Sequence, residues 1–143
     1  MVASSDLNEL FNDALRFAQH MLLIEGEFIP FGVSMDLDGN IAQVAGDLGT
    51  ERPRSAQMVE FLQAAFQEAA RLGEIRAAGV CLDMYVVPPG RSETMRDAVC
   101  VRLAHISGEA LEVFVPYTQD RNGACQMEPA YAAEAGPFTL VEP

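Results

Sequence analysis

The stretch from Asp97 to Tyr117, DAVCVRLAHISGEALEVFVPY, restricts the fold more than any other part of the chain. Two apolar, β-branched runs meet at Ser107-Gly108, and the way they close decides which side chains face each other. A two-residue turn at Ser107-Gly108 would set Leu103 against Glu112 and Arg102 against Val113, apolar against charged. A three-residue loop, Ile106 to Gly108 with Gly108 in the left-handed conformation, pairs Leu103 with Leu111, Val101 with Val113 and Val99 with Val115. The same register sets Arg102 opposite Glu112, a cross-strand ion pair worth about 0.2–1 kcal/mol. The second register therefore predicts an antiparallel hairpin here.

Upstream, Leu7, Leu10, Phe11, Ala14, Ala18, Met21 and Leu22 recur at helical intervals and predict an amphipathic helix from 6 to 24. Asp6 and Glu9 have the spacing of a capping box at its start. Pro30 then forces an extended chain, and Phe28, Ile29 and Phe31 around it read as apolar plugs over the core. Val33, Met35 and Leu37 alternate with polar residues up to Asp38-Gly39, which predicts a hairpin with a two-residue loop. That loop pairs Leu37 with Asn40 and Met35 with Ala42, putting Val33, Met35, Ala42 and Val44 on one face. The segment GDLGTERPRS is a loop. Met58, Val59, Leu62, Ala65, Phe66 and Ala69 predict a second helix over 54–72, closed by Gly73. A strand follows over 77–87, with Ala78, Val80, Leu82, Met84 and Val86 on one side. Pro88-Pro89-Gly90 ends it, and RSETMR is an exposed loop. After Tyr117 the chain is rich in turn formers and small residues, so 118–143 is expected to be loosely structured, with a short strand at Phe138–Val141.

The order α-β-β-α-β-β-β predicts an α+β fold of two layers. Both amphipathic helices would lie on one face of a mostly antiparallel sheet of five to six strands. At 143 residues the chain is expected to be a single domain over 1–143. In topology this resembles roadblock and longin-type domains, whose hairpin between two helices often turns at an Asp-Gly. The likeness covers most of the chain coarsely and leaves FIPFG and the tail outside it.

Net charge is −12, and all nine basic residues are Arg. An acidic chain without a basic stripe argues against nucleic acid and against anionic membranes as partners. The start, MVASSDLNEL, has neither a basic nor an apolar signal region, so the cytoplasm is the expected compartment. No apolar run approaches the roughly 18 residues of a membrane span.

Candidate chemistry is sparse. Asp36, Asp38 and Asn40 alternate as calcium ligands do, and Asp47 falls where a calcium loop would close. Such a loop needs glycine at its sixth position, where Ile41 stands, and a Glu at its twelfth, where Asp47 stands; a hairpin accounts for every residue. His20 and His105 are read as structural or surface groups. No Cys has a His near it in sequence, and no serine sits in a nucleophile elbow. Cys81, Cys100 and Cys125 show no C-x-x-C spacing, so neither a disulfide framework nor a metal centre is expected. Carboxylate pairs such as Glu25 and Glu27 read as solvated turns. Without Lys there is no P-loop ammonium and no Schiff base. No catalytic residue, metal or cofactor is expected.

The helices should cover the sheet face carrying Val80, Leu82, Met84, Val99, Val101, Leu103, Leu111, Val113 and Val115. The outer face would show Cys81, Asp83, Tyr85, Cys100, Arg102, Ala104, Ala110, Glu112 and Phe114. Aromatic residues and Arg among small neighbours are enriched at interfaces. The expected function is thus a non-enzymatic protein–protein interaction module, a homodimer through Tyr85, Arg102, Glu112 and Phe114, with a further protein partner of unknown kind. The alternative is a small-molecule-binding domain or enzyme, with its groove on the outer face or under the loops 88–95 and 118–129. Arg102, Tyr85 and His105 would be its polar groups, although the register separates Arg102 from His105 onto opposite faces. For the Asp36 turn, calcium is expected to leave the melting temperature unchanged, and a saturable rise of several degrees would show a bound metal instead.

Overall fold

The computed structural model describes residues 2–45, 55–90, 95–122, 124–134 and 138–141. Asp47 and the segments 46–54 and 91–94, expected as loops, lie outside the described residues. The elements are α1 (Val2–Glu25), β1 (Phe31–Asp36), β2 (Ile41–Val44), α2 (Ser55–Arg71), β3 (Ile75–Val86), β4 (Arg96–His105), β5 (Ala110–Gln119), β6 (Cys125–Met127) and β7 (Tyr131–Glu134). One antiparallel sheet runs in the order β2-β1-β3-β4-β5-β6, and β7 joins β5 beyond β6. This is the α+β class that the sequence implies.

The β4–β5 pairing has the register expected for a three-residue loop: Leu103 faces Leu111, Val101 faces Val113, Val99 faces Val115 and Arg102 faces Glu112. His105 donates its N–H to the Glu109 carbonyl at 2.9 Å, and Gly108, at φ 99°, donates to the His105 carbonyl at 3.0 Å.

The β1–β2 hairpin closes in the same way, and there the two-residue loop is corrected. Asp36 N–H reaches the Asn40 carbonyl at 3.0 Å, so the loop is Leu37, Asp38 and Gly39, with Gly39 at φ 89°. Asp36 imposes this choice. Its Oδ1 accepts the N–H groups of Asp38 and Asn40, each at 2.9 Å, and its Oδ2 takes the Asn40 amide at 3.1 Å, an Asx turn built on the residue before the loop. The register shifts by one, so Met35 faces Ile41 and Ser34 faces Ala42. Ile41, not Ala42 and Val44, shares the face of Met35. Both Asp36 oxygens serve the turn.

The second correction concerns α2. The two helices cover opposite faces of the sheet. The face bearing Cys81, Val99, Val101, Leu103, Val113 and Val115 packs on Leu7, Leu10, Ala14, Ala18 and Leu22 of α1. The other face, with Ala78, Val80 and Ala104, packs on Met58, Val59, Leu62 and Phe66 of α2. The cause is the register between β3 and β4: Cys81 faces Val101 and Val80 faces Arg102. Val80 therefore lies with Arg102, not with Val101. Residues 77–81 are buried at every position, as a strand covered on both sides must be. Each large aliphatic side chain so enclosed contributes about 1.5–3 kcal/mol.

Two smaller expectations also change. The first helix starts at Val2, so Asp6 is not its cap and points into the protein instead. The tail is more regular than its composition suggests: β6 and β7 extend the sheet. Phe138 and Leu140 are buried with α2, and no strand forms at 138–141.

Gly32 shows how closely α2 sits. A Cβ there would penetrate the Phe66 ring, 2.7 Å from its Cε2. Gly32→Ala is expected to cost about 1–3 kcal/mol in a denaturant melt. Adding Phe66→Leu should recover part of that loss, and strictly additive losses would show that the ring is not the obstacle.

Candidate functional site

The most enclosed polar cluster joins three segments far apart in sequence. A β-bulge in the β1–β3 ladder, where Met35 faces Ala77 and Asp36 faces Ile75, leaves Arg76 unpaired with β1 and turns it toward α1. Its Nε and Nη2 donate to Oδ2 and Oδ1 of Asp6 at 3.0 and 2.9 Å, a two-pronged fork, and Nη1 donates to the Leu37 carbonyl at 2.9 Å. His105 Nε2 lies 2.9 Å from Asp6 Oδ2. Asp6 and His105 are only 4% and 7% exposed.

This resembles the acid–base half of a catalytic triad, but the ring is bonded at both nitrogens. His105 Nδ1 accepts the backbone N–H of Ser107 at 3.0 Å. A backbone N–H can only donate, so the ring proton sits on Nε2 and goes to Asp6. Ser107 Oγ is turned away and accepts the Glu109 N–H at 3.3 Å. Both ring nitrogens are engaged, leaving neither to take a proton from a nucleophile. Burial pushes the Asp6 carboxyl up, but the bonds from Arg76 and His105 outweigh it and hold the group below its ordinary value. The cluster ties the start of α1 to two hairpin turns.

A second constellation lies under α2. Arg102 Nε donates to Glu112 Oε2 at 2.8 Å and Nη1 to Gln63 Oε1 at 3.3 Å. The Cys100 thiol donates to the same Glu112 oxygen at 3.4 Å. Burial first, and the Glu112 charge next, push that thiol far above the range in which it would ionise. Cys81 is raised likewise by burial. Phe114 stacks on Tyr131 of β7, with ring centroids 5.2 Å apart.

The four residues expected to form one interface are thus divided. Arg102, Glu112 and Phe114 share the α2 face, where they meet Gln63, Cys100 and Tyr131. Tyr85 faces Asp97 across the β3–β4 ladder, on the α1 side, and is 67% exposed. His105 lies on that side too, at the other end of the ladder, apart from Arg102 as the register implied.

Around Tyr85 the surface is apolar and acidic. Val87, the residue after β3, is 47% exposed, and Met95, the residue before β4, is 59% exposed, just past the last pair of the ladder, Val86 facing Arg96. Tyr117 donates its hydroxyl to Asp83 Oδ1 at 2.8 Å. Burial, then the nearby charges of Asp97 and Glu27, raise the Asp83 carboxyl above its ordinary value. A cleft of about 730 Å³ lies elsewhere, between α2, Ile106 and Thr139–Val141. Its Gln67 amide donates to the Thr139 carbonyl, and its Arg71 and Glu68 bond each other.

No protein family, no curated protein and no solved structure matches this chain. Among the described residues no helix is long and apolar enough to cross a membrane.

The Asp6 cluster generates a pH prediction. A carboxyl with a lowered folded value binds its proton less readily folded than unfolded. Its contribution to stability is complete above the ordinary value of 3.8 and is lost as pH falls through the folded value. Asp6→Asn should therefore destabilise the protein at neutral pH by about 2–3 kcal/mol and flatten the fall in stability as pH drops below about 5. Denaturant titrations across that range check both; an unchanged slope would mean that Asp6 is not the titrating group.

Proposed function

We propose that the protein is a non-catalytic protein-interaction domain that meets its partner at the end of the molecule where β3 passes into β4. The observation that carries this reading is the presence of three large exposed apolar side chains, Tyr85, Val87 and Met95, at one end of the β3–β4 ladder. Exposed aromatic and Met side chains are the residue types that anchor protein contacts. The acid–base groups at the opposite end are engaged with one another, which favours a structural part for them. Self-association is a second form of the same reading. Tyr85 would anchor it, while the carboxylates of Glu27, Asp83 and Asp97 nearby would repel their counterparts in a second copy. The cleft beside α2 is the observation behind a small-molecule reading, but its Gln67, Glu68 and Arg71 are occupied by neighbours.

A photo-crosslinking phenylalanine analogue placed at Tyr85, with the same analogue at exposed Phe61 of α2 as a control, tests the reading in cells. Protein-sized adducts at 85 and not at 61 are expected. An adduct of twice the chain mass would make the partner a second copy. Equal labelling at both positions, or none at 85, would overturn the proposal.

A further inference from the structure

The same end of the molecule carries an open strand edge. The β1–β3 ladder stops at Phe31 facing Cys81, because the residue before Phe31 is Pro30, which has no N–H to give. From Leu82 to Val86, β3 is paired with β4 on one side and, among the described residues, with no strand on the other. Such an edge is a template for another extended chain.

The side chains along it alternate in character as well as direction. On the α1 side stand Asp83 and Tyr85, with Glu27 close enough to raise the Asp83 carboxyl. On the α2 side stand Leu82, Met84 and Val86, all partly open. An incoming strand would set one row of its side chains beside the carboxylates and the other beside the aliphatic row. Charge complementarity selects the first row as basic, and burial selects the second as apolar. Arg121, in the turn after β5, is also at this end, beside Asp120.

We infer that the β3 edge from Leu82 to Val86 binds an extended segment of a partner protein in which basic and apolar residues alternate, by adding that segment to the sheet. This rests on the interaction reading above and names its partner's chemistry.

The probe is an acetylated, amidated heptapeptide of alternating arginine and valine, titrated calorimetrically into the full chain. One-to-one binding is expected. A peptide of the same composition with its arginines and valines in two blocks should bind at least tenfold more weakly. Only alternate amides of an added strand face β3, so N-methylating the valine amides or the arginine amides should abolish binding in one case and spare it in the other. Asp97→Asn should weaken binding and reduce its salt dependence without unfolding the protein, as circular dichroism would verify. No binding, equal binding of the blocked sequence, or indifference to both methylations would overturn the inference. Dimerisation of the free chain lost on adding an N-methylated copy of the 82–86 segment would also overturn it, by making the occupant a second copy. If the peptide fails while crosslinking at Tyr85 succeeds, the partner's chemistry is wrong and the interaction reading stands.

Discussion

The pairing of β3 with β4, unbroken from Ala77 facing His105 to Val86 facing Arg96, is the constraint from which the architecture follows. From Ala77 to Cys81 β3 is apolar and buried on both sides, so neither face can be left to water. Two covering layers are then required. The chain supplies them as α1 before the β1–β2 hairpin and α2 after it, and the hairpin occupies the free edge of β3 between them. Small residues at the crossing, Ala77, Ala78 and Gly32 among them, let both helices approach. The order of elements is thus a consequence of burying one strand pair completely.

The Asp6–Arg76–His105 cluster solves a different problem. An apolar stripe fixes which face of a helix is buried, but it leaves the helix free to slide along its groove. A buried carboxylate that must meet a fork from Arg76 and a ring proton from His105 has one acceptable position. Burying such charges is costly, and the pair stabilises mainly by being completely satisfied. The Leu37 carbonyl and the Ser107 N–H complete the shell, so the start of α1 and both glycine-closed turns are held at one point. The directional bonding capacity of the His–Asp contact is thereby taken up in positioning these segments.

The sequence was most informative where contacts are local. The β4–β5 register followed from matching Leu103 with Leu111 and Arg102 with Glu112, because the loop is short and only a few alignments compete. The neighbouring hairpin misled, although its turn has the same form, because a side chain decided the loop length: Asp36 caps the turn, and apolar alternation does not register that. The side taken by α2 was also legible in principle. The run AAGVCL in β3 is apolar at consecutive positions, the mark of two-sided burial, and reading it as alternation placed both helices together. Asp6 and Arg76 were beyond reach. They are 70 positions apart, and Arg76 turns inward only because of a bulge that no pattern of hydrophobicity announces. The four residues expected at one interface do not share a face, because the side taken by Tyr85 relative to Phe114 depends on the β3–β4 register, which alternation within each strand does not set.

The two ends of the ladder are consequently unlike. At the His105 end, Asp6, Arg76 and His105 bond one another and both helices contribute cover. At the Tyr85 end α1 has stopped at Glu25, and the segment leading to Pro30 crosses above the sheet with Phe28 packed edge-on against Phe31. Ending the helix there places that plug over the core, but it leaves the last turn of β3 without a helix above it. Tyr85, Val87 and Met95 therefore forgo about half or more of the roughly 1.5–3 kcal/mol that burial of a large apolar side chain provides. That energy is not contributed to folding, and it remains to be gained by whatever excludes water from them. The apolar contact and the open strand edge arise from one cause, the early stop of α1 and β1 around Pro30, so a partner strand that satisfied the edge would also cover the side chains beside it.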